Sequence, residues 1–134
     1  MVLSINGNRR SLEGYGLPIV EDGAYPAAGR SPASSLPLKW AEAIFGRDTI
    51  VVSMPADTPF IPLDLARRLV EGLRDNTDAA FAISLDRSHH AIAAWPVRIR
   101  TLMEEWLRHG ETFAVKDFLR SRRAQPRGFR SRTP

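Results

Sequence analysis

Thr49-Ile50-Val51-Val52-Ser53-Met54 runs directly into Pro55-Ala56-Asp57-Thr58-Pro59. Four of the first six residues are apolar and β-branched residues lead the run. This is the pattern of a short strand covered on both faces, as in a parallel sheet. Pro55 and Pro59 then lock φ on either side of Asp57, leaving a carboxylate just past the strand's carboxyl end. Ligands of open α/β sheets bind at that end.

The neighbouring segments extend the pattern. A helix is predicted to begin near Pro62 or Asp64, with Leu65, Leu69, Val70 and Leu73 on one face. Ala79 to Leu85 reads as a strand and Ala91 to Trp95 as its partner or neighbour. Ile99, Leu102, Met103, Trp106 and Leu107 repeat at helical spacing, and Gly110 closes that helix. A last helix, about Val115 to Arg122, turns Val115, Phe118 and Leu119 inward. Towards the amino end, Val2 to Ile5 and Ile19-Val20 read as short strands, ended by Asn6-Gly7-Asn8 and Glu21-Asp22-Gly23. A helix from about Leu38 to Phe45 follows a loop rich in Gly and Pro, with Gly46 as its stop. Alternating strands and helices predict a three-layer α/β fold with a Rossmann-like, mainly parallel sheet.

Composition sets the outer bounds. A chain of 134 residues with 43% hydrophobic and 25% charged residues has the makeup of one globular domain. No stretch approaches the roughly 20 apolar residues of a membrane-spanning helix, so a cytoplasmic protein is expected. Without cysteine there is no disulfide framework, thiolate metal site or Cys nucleophile. The net charge of +4 is unevenly placed. Residues 120–134 hold six arginines and no acid, leaving 13 basic and 15 acidic side chains in residues 1–119. The reading is a domain over 1–119 and a basic, flexible tail over 120–134. Positive charge confined to a tail is poor evidence for a nucleic-acid partner.

Two carboxylates follow strands. Asp57 has a pre-organised backbone that suits a hard-cation ligand, or a turn whose side chain caps nearby N–H groups. Asp22 lies in Glu-Asp-Gly, which is also ordinary turn composition. His89 and His90 would face opposite sides of a strand, so they do not form a zinc pair, and one reads as a hydrogen-bonding group near the strand's start. Trp40, Trp95 and Trp106 lie on apolar faces and read as core. No glycine-rich sequence of the phosphate-cradling type occurs in the 134 residues.

The segment Val51-Val52-Ser53-Met54-Pro55-Ala56-Asp57-Thr58-Pro59-Phe60-Ile61-Pro62-Leu63-Asp64-Leu65 resembles the molybdenum cofactor guanylyltransferases, the MobA-like nucleotidyltransferases. Their pattern there is C-D-T-P-[FY]-[IL]-P-x-D-L, with Ala56 standing where Cys is common. Gly16-Leu17-Pro18-Ile19-Val20-Glu21-Asp22 resembles the family's G-L-x-V-I-x-D strand. His89 to Val97 resembles its H-P-x-x-A-L-W-P-V segment. The resemblance runs from about Met1 to Arg123. It implies a nucleotidyltransferase that moves GMP from GTP to molybdopterin with Mg²⁺. It also implies Asp57 as the catalytic metal ligand, and Asp22, Asn6, Gly29 and Asp57 as nucleotide-binding residues.

Several family features differ. The opening strand and glycine-rich loop, L-A-G-G-x-S-x-R-M-G-x-D-K, are not found in this sequence, which is expected to start at a later strand. Ser4 stands for the first Asn of N-A-N, with Asn6 as the second. Gly29 is the only glycine kept from G-P-L-A-G, and the N-x-N-T-P segment is replaced by arginines. These departures imply weakened GTP binding and impaired catalysis. They also imply an open sheet edge, available to a second copy or a partner protein in a non-catalytic interaction module.

Overall fold

The computed structural model describes residues 3–5, 14, 16, 19–21, 35–55, 61–73, 77–85, 87–109, 115–120 and 122–128. The elements are β1 (Leu3–Ile5), β2 (Ile19–Glu21), α1 (Ser35–Phe45), β3 (Ile50–Ser53), α2 (Leu65–Glu71), β4 (Ala79–Ser84), β5 (Arg87–Pro96), α3 (Arg100–His109), α4 (Val115–Arg120) and β6 (Ala124–Gly128). A 3₁₀ turn, Val97–Ile99, links β5 to α3. No described helix is long and apolar enough to cross a membrane.

The strands fall into two groups. β1 and β2 pair in parallel, and a four-stranded sheet has the order β3-β5-β4-β6. Within it β5 runs against β3 and β4, while β6 runs parallel to β4. Three of its four strands therefore point one way, and the sheet is mixed.

Strand alternation divides the core into two layers, because successive side chains take opposite faces. Ala79, Ala93 and Trp95 face Leu38 and Ala41 of α1, Met103 of α3, and Phe118 and Leu119 of α4, with Val51 and Phe81 packed against the same cluster. Ala80, Ala82, Ile92 and Ala94 face Leu65 and Leu69 of α2, with Val52 packed beside them. The small alanines let the helices approach the sheet closely, and Trp95 fills the space that Ala93 leaves. The result is the three-layer arrangement expected from the alternation of elements.

Local signals explain most boundaries. Gly46 ends α1 at φ +94°, a conformation that favours glycine, and its N–H reaches Glu42 O at 2.9 Å. In α2, Leu65 and Leu69 are buried, whereas Val70, expected on the same face, is exposed. A helix of seven residues presents only a narrow stripe to the sheet. Val51 and Val52 of β3 pack on the two faces of the sheet, and among the described residues one edge of β3 is open. β5 is its one described ladder partner, and Ile50 is 39% exposed.

The basic segment differs most from its sequence reading. Residues 124–128 form an edge strand within the stretch that composition assigns to a flexible tail. Asp78 anchors it. The Asp78 N–H donates to Arg123 O at 2.8 Å, and Asp78 Oδ2 accepts from the Arg123 backbone N–H at 3.3 Å. Further along, the Arg127 side chain lies over Gly72, where an added Cβ would come within 2.8 Å of Arg127 Nε. Arg68 of α2 also donates to Gly128 O. Backbone pairing and these clamps hold the strand with little apolar burial, and Pro126 is tolerated because an edge strand need not donate on both sides.

Candidate functional site

Asp57, Asp22, Asn6 and Gly29 all lie outside the described residues. The strands that lead to three of them are described. β1 and β2 end side by side at the paired residues Ile5 and Glu21, which immediately precede Asn6 and Asp22 in the chain. β3 ends at Ser53, four residues before Asp57, and the chain is described again from Ile61 into α2. At that re-entry the Leu65 N–H donates to Pro62 O at 3.0 Å.

Ser53 fixes the end of β3. Its Oγ accepts the indole N–H of Trp95 at 2.9 Å and donates to Ala91 O at 2.9 Å. Trp95 is fully buried, so this contact satisfies a donor that has no access to water. A polar residue in an otherwise apolar strand was the available sequence signal for this lock.

Ala91 lies in an irregular part of β5. Phe81 pairs with Ala93, yet the next β4 residue, Ala82, pairs with His89. His90, Ala91 and Ile92 are thus extra residues on β5, a bulge that re-aims side chains. Since Ser53 pairs with Ala93, the part of β5 before Ala93 projects past the carboxyl end of β3. The β4–β5 hairpin therefore stands beside the place where the chain departs towards Asp57. Its tip residue Leu85 is exposed and takes a left-handed φ of 49°.

The two histidines have separate settings. His89 Nε2 is 2.8 Å from Ser84 Oγ, the hydrogen-bonding role expected near the strand's start. The His90 ring lies against Phe81, with centroids 5.0 Å apart and a 35° tilt. Burial, followed by the positive charges of Arg120, Lys116 and His89, holds His90 below the ordinary imidazole pKa. Among the described residues no group of three His, Cys, Asp or Glu side chains could hold a metal.

The other end of the sheet carries a cleft of about 340 Å³, lined by Arg47, Asp48, Thr49, Ile50, Leu73, Pro96 and Arg98. It opens at the amino end of β3, opposite the end where α/β sheets bind ligands. Its arginines are engaged. Arg98 donates to Thr77 O at 2.9 Å and lies 3.9 Å from Asp78 Oδ1, and Arg47 lies 3.7 Å from Glu42. None of the described residues that line this cleft belongs to the sequence-predicted site.

Comparison with known proteins agrees with the architecture. The chain is similar to a crystallised protein from Aquifex aeolicus VF5, with a TM-score of 0.74 and 13% identity over 96% of this chain and 63% of that one. It is also similar to the molybdopterin-guanine dinucleotide biosynthesis protein A of Archaeoglobus fulgidus, with a TM-score of 0.70 and 14% identity over 95% and 62% of the two chains. At these identities the likeness establishes the fold. Among curated relatives, the molybdenum cofactor guanylyltransferase of Mesorhizobium japonicum is 35% identical over 89% of this chain and 57% of its own length. That of Acidiphilium cryptum is 33% identical over 88% and 56%. The chain thus spans a little over half the length of these relatives. The sequence pattern of the MobA-like NTP transferase domain matches residues 1–126, and the chain belongs to that nucleotidyltransferase family.

Proposed function

We propose that the chain carries the metal-aspartate portion of a molybdenum cofactor guanylyltransferase, an enzyme that transfers GMP from GTP to molybdopterin in the cytoplasm and releases diphosphate. The observation that carries this reading is the delivery of the Pro55-to-Pro59 segment from the locked end of β3 into α2, within a family match over residues 1–126. Asp57 would hold the metal, and Asp22 with Asn6 and Gly29 would contact the nucleotide. Carboxylates are the hard oxygen donors that Mg²⁺ takes together with substrate phosphates, so the donor chemistry fits. When bound, Mg²⁺ neutralises phosphate charge and polarises the phosphorus under attack. The chain's own part is positional. The Ser53–Trp95 hydrogen bond fixes the strand from which Asp57 departs, and the projecting hairpin walls one side of that departure. The acceptor phosphate serves as nucleophile, so no side-chain nucleophile is required.

The 134 residues contain no glycine-rich phosphate loop, so this chain by itself should bind GTP weakly and turn over slowly. Calorimetric titration of Mg²⁺·GTP tests this: tight binding that is lost in Asp57→Ala would overturn the impairment. Guanylyl transfer to molybdopterin, restored by supplying a relative's glycine-rich first unit in trans, tests the function itself. No transfer even then would sink the reading.

The open edge of β3 favours a second reading, a non-catalytic module that pairs with another copy or a partner protein. Size-exclusion chromatography with light scattering separates the two, since a clean monomer rejects self-association.

A further inference from the structure

α2 is too short to persist on its own. It has seven residues, against the roughly 12 that an isolated helix needs in water, and only Leu65 and Leu69 are buried against the sheet. Asp64 gives its first turn no side-chain cap. At its other end Gly72 stays in the right-handed region, at φ −74° and ψ −19°, and does not form a left-handed cap. The helix therefore depends on what touches it from outside.

β6 touches it with a matched set of contacts. Arg127 Nε donates to Arg68 O at 3.4 Å, on a carbonyl that also accepts the Gly72 N–H at 3.2 Å. In return the Arg68 guanidinium donates to Gly128 O. Between these bonds the Arg127 stem lies against Gly72, where an added Cβ would stand 2.9 Å from both Cγ and Cδ. Those carbons lie near the root of the side chain, so the whole arginine would have to shift to make room. The Gly72 backbone itself does not require glycine, since alanine adopts its angles readily in a helix. What the missing side chain provides is the seat for Arg127.

We propose that β6 is a strap for α2. The strand and the helix form one cooperative unit, keyed by the fit of Arg127 on Gly72, and release of β6 frees α2 from the sheet. β4, β5, α3 and α4 separate the two elements in the chain, so a segment near the carboxyl end controls a helix near the middle. This coupling stands whether or not the chain transfers guanylyl groups.

Native-state hydrogen exchange on the full chain tests the strap, with α3 as internal reference. Arg127→Ala should speed exchange about tenfold in both α2 and residues 124–128, the loss expected of a charged hydrogen bond, and leave α3 unchanged. Gly72→Ala should speed α2 exchange while Arg127 is present. In the Arg127→Ala background the same substitution should reverse sign and slow it, because only the helix preference for alanine then remains. The proposal fails if Arg127→Ala speeds residues 124–128 without α2, if α3 rises equally, or if Gly72→Ala acts alike in both backgrounds.

Discussion

The two ends of the four-stranded sheet are fastened by different chemistry. At the amino end of β3, the arginines are cross-linked. Glu42 of α1 receives Arg100 at 2.7 Å, Glu104 receives the same guanidinium at 3.0 Å, and Asp78 lies between Arg98 and Arg123. These hydrogen bonds, Glu42's foremost and then Glu104's, hold Arg100 firmly in its charged form. At the carboxyl end, Ser53 accepts the Trp95 indole N–H at 2.9 Å and donates to Ala91 O at 2.9 Å. One end has spent its charge on holding α1, the 3₁₀ turn, β4 and β6 together. The other end is held by neutral hydrogen bonds through the Ser53 hydroxyl. The cleft described lies at the first of these ends, beside Arg47 and Arg98.

This contrast can be broken by substitution. Trp95→Ala, at the centre of the larger core cluster, should cost about 3–5 kcal/mol in urea unfolding and loosen both ends together. Asp78→Ala should cost about 2 kcal/mol by stripping a buried acceptor from two arginines and the β6 backbone. Hydrogen exchange should then rise over residues 124–128 while the β5 bulge keeps its protection. Equal loss of protection at the bulge in Asp78→Ala would show that the two ends are not independent. Ser53→Ala should cost about 1 kcal/mol by orphaning the Trp95 indole N–H, with its first effect on exchange in the β5 bulge. Lys116→Ala, at an exposed position, should change stability by less than about 0.5 kcal/mol.

The smallest effect sharpens the comparison through pH. Because His90 sits below its ordinary value of 6.5, the folded protein binds fewer protons there than the unfolded chain. Stability should therefore fall as pH drops through 6.5 towards the folded pKa and level off below it. His90→Phe should remove that slope from the unfolding midpoint.

Much of the fold was legible because periodicity reports burial. Met103 and Ile99 in the α3 region, Leu65 and Leu69 in α2, and Trp95 in β5 all lie where their spacing puts them. β6 was not legible, since Ala124-Gln125-Pro126-Arg127-Gly128 has neither strand-forming side chains nor an apolar alternation. Its pairing depends on a carboxylate 45 residues earlier in sequence. The bulge was hidden for a related reason. Period-two reading of Arg87 to Pro96 assumes continuous pairing, whereas His90 to Ile92 step out of register. For the site, sequence pattern marked Asp57, Asp22, Asn6 and Gly29, which lie outside the described residues.

The pairing of β6 with β4 also fixes an order of assembly. Ala79 and Ala124 can meet only after β5, α3 and α4 have drawn the intervening chain into place, so this ladder closes late. Until it does, β4 has a bare edge of backbone donors and acceptors, the kind of template on which chains aggregate. Asp78 at the base of β4 works as the latch that ends this exposure. Among the described strands, the last to emerge during synthesis is therefore the one that covers the edge of β4.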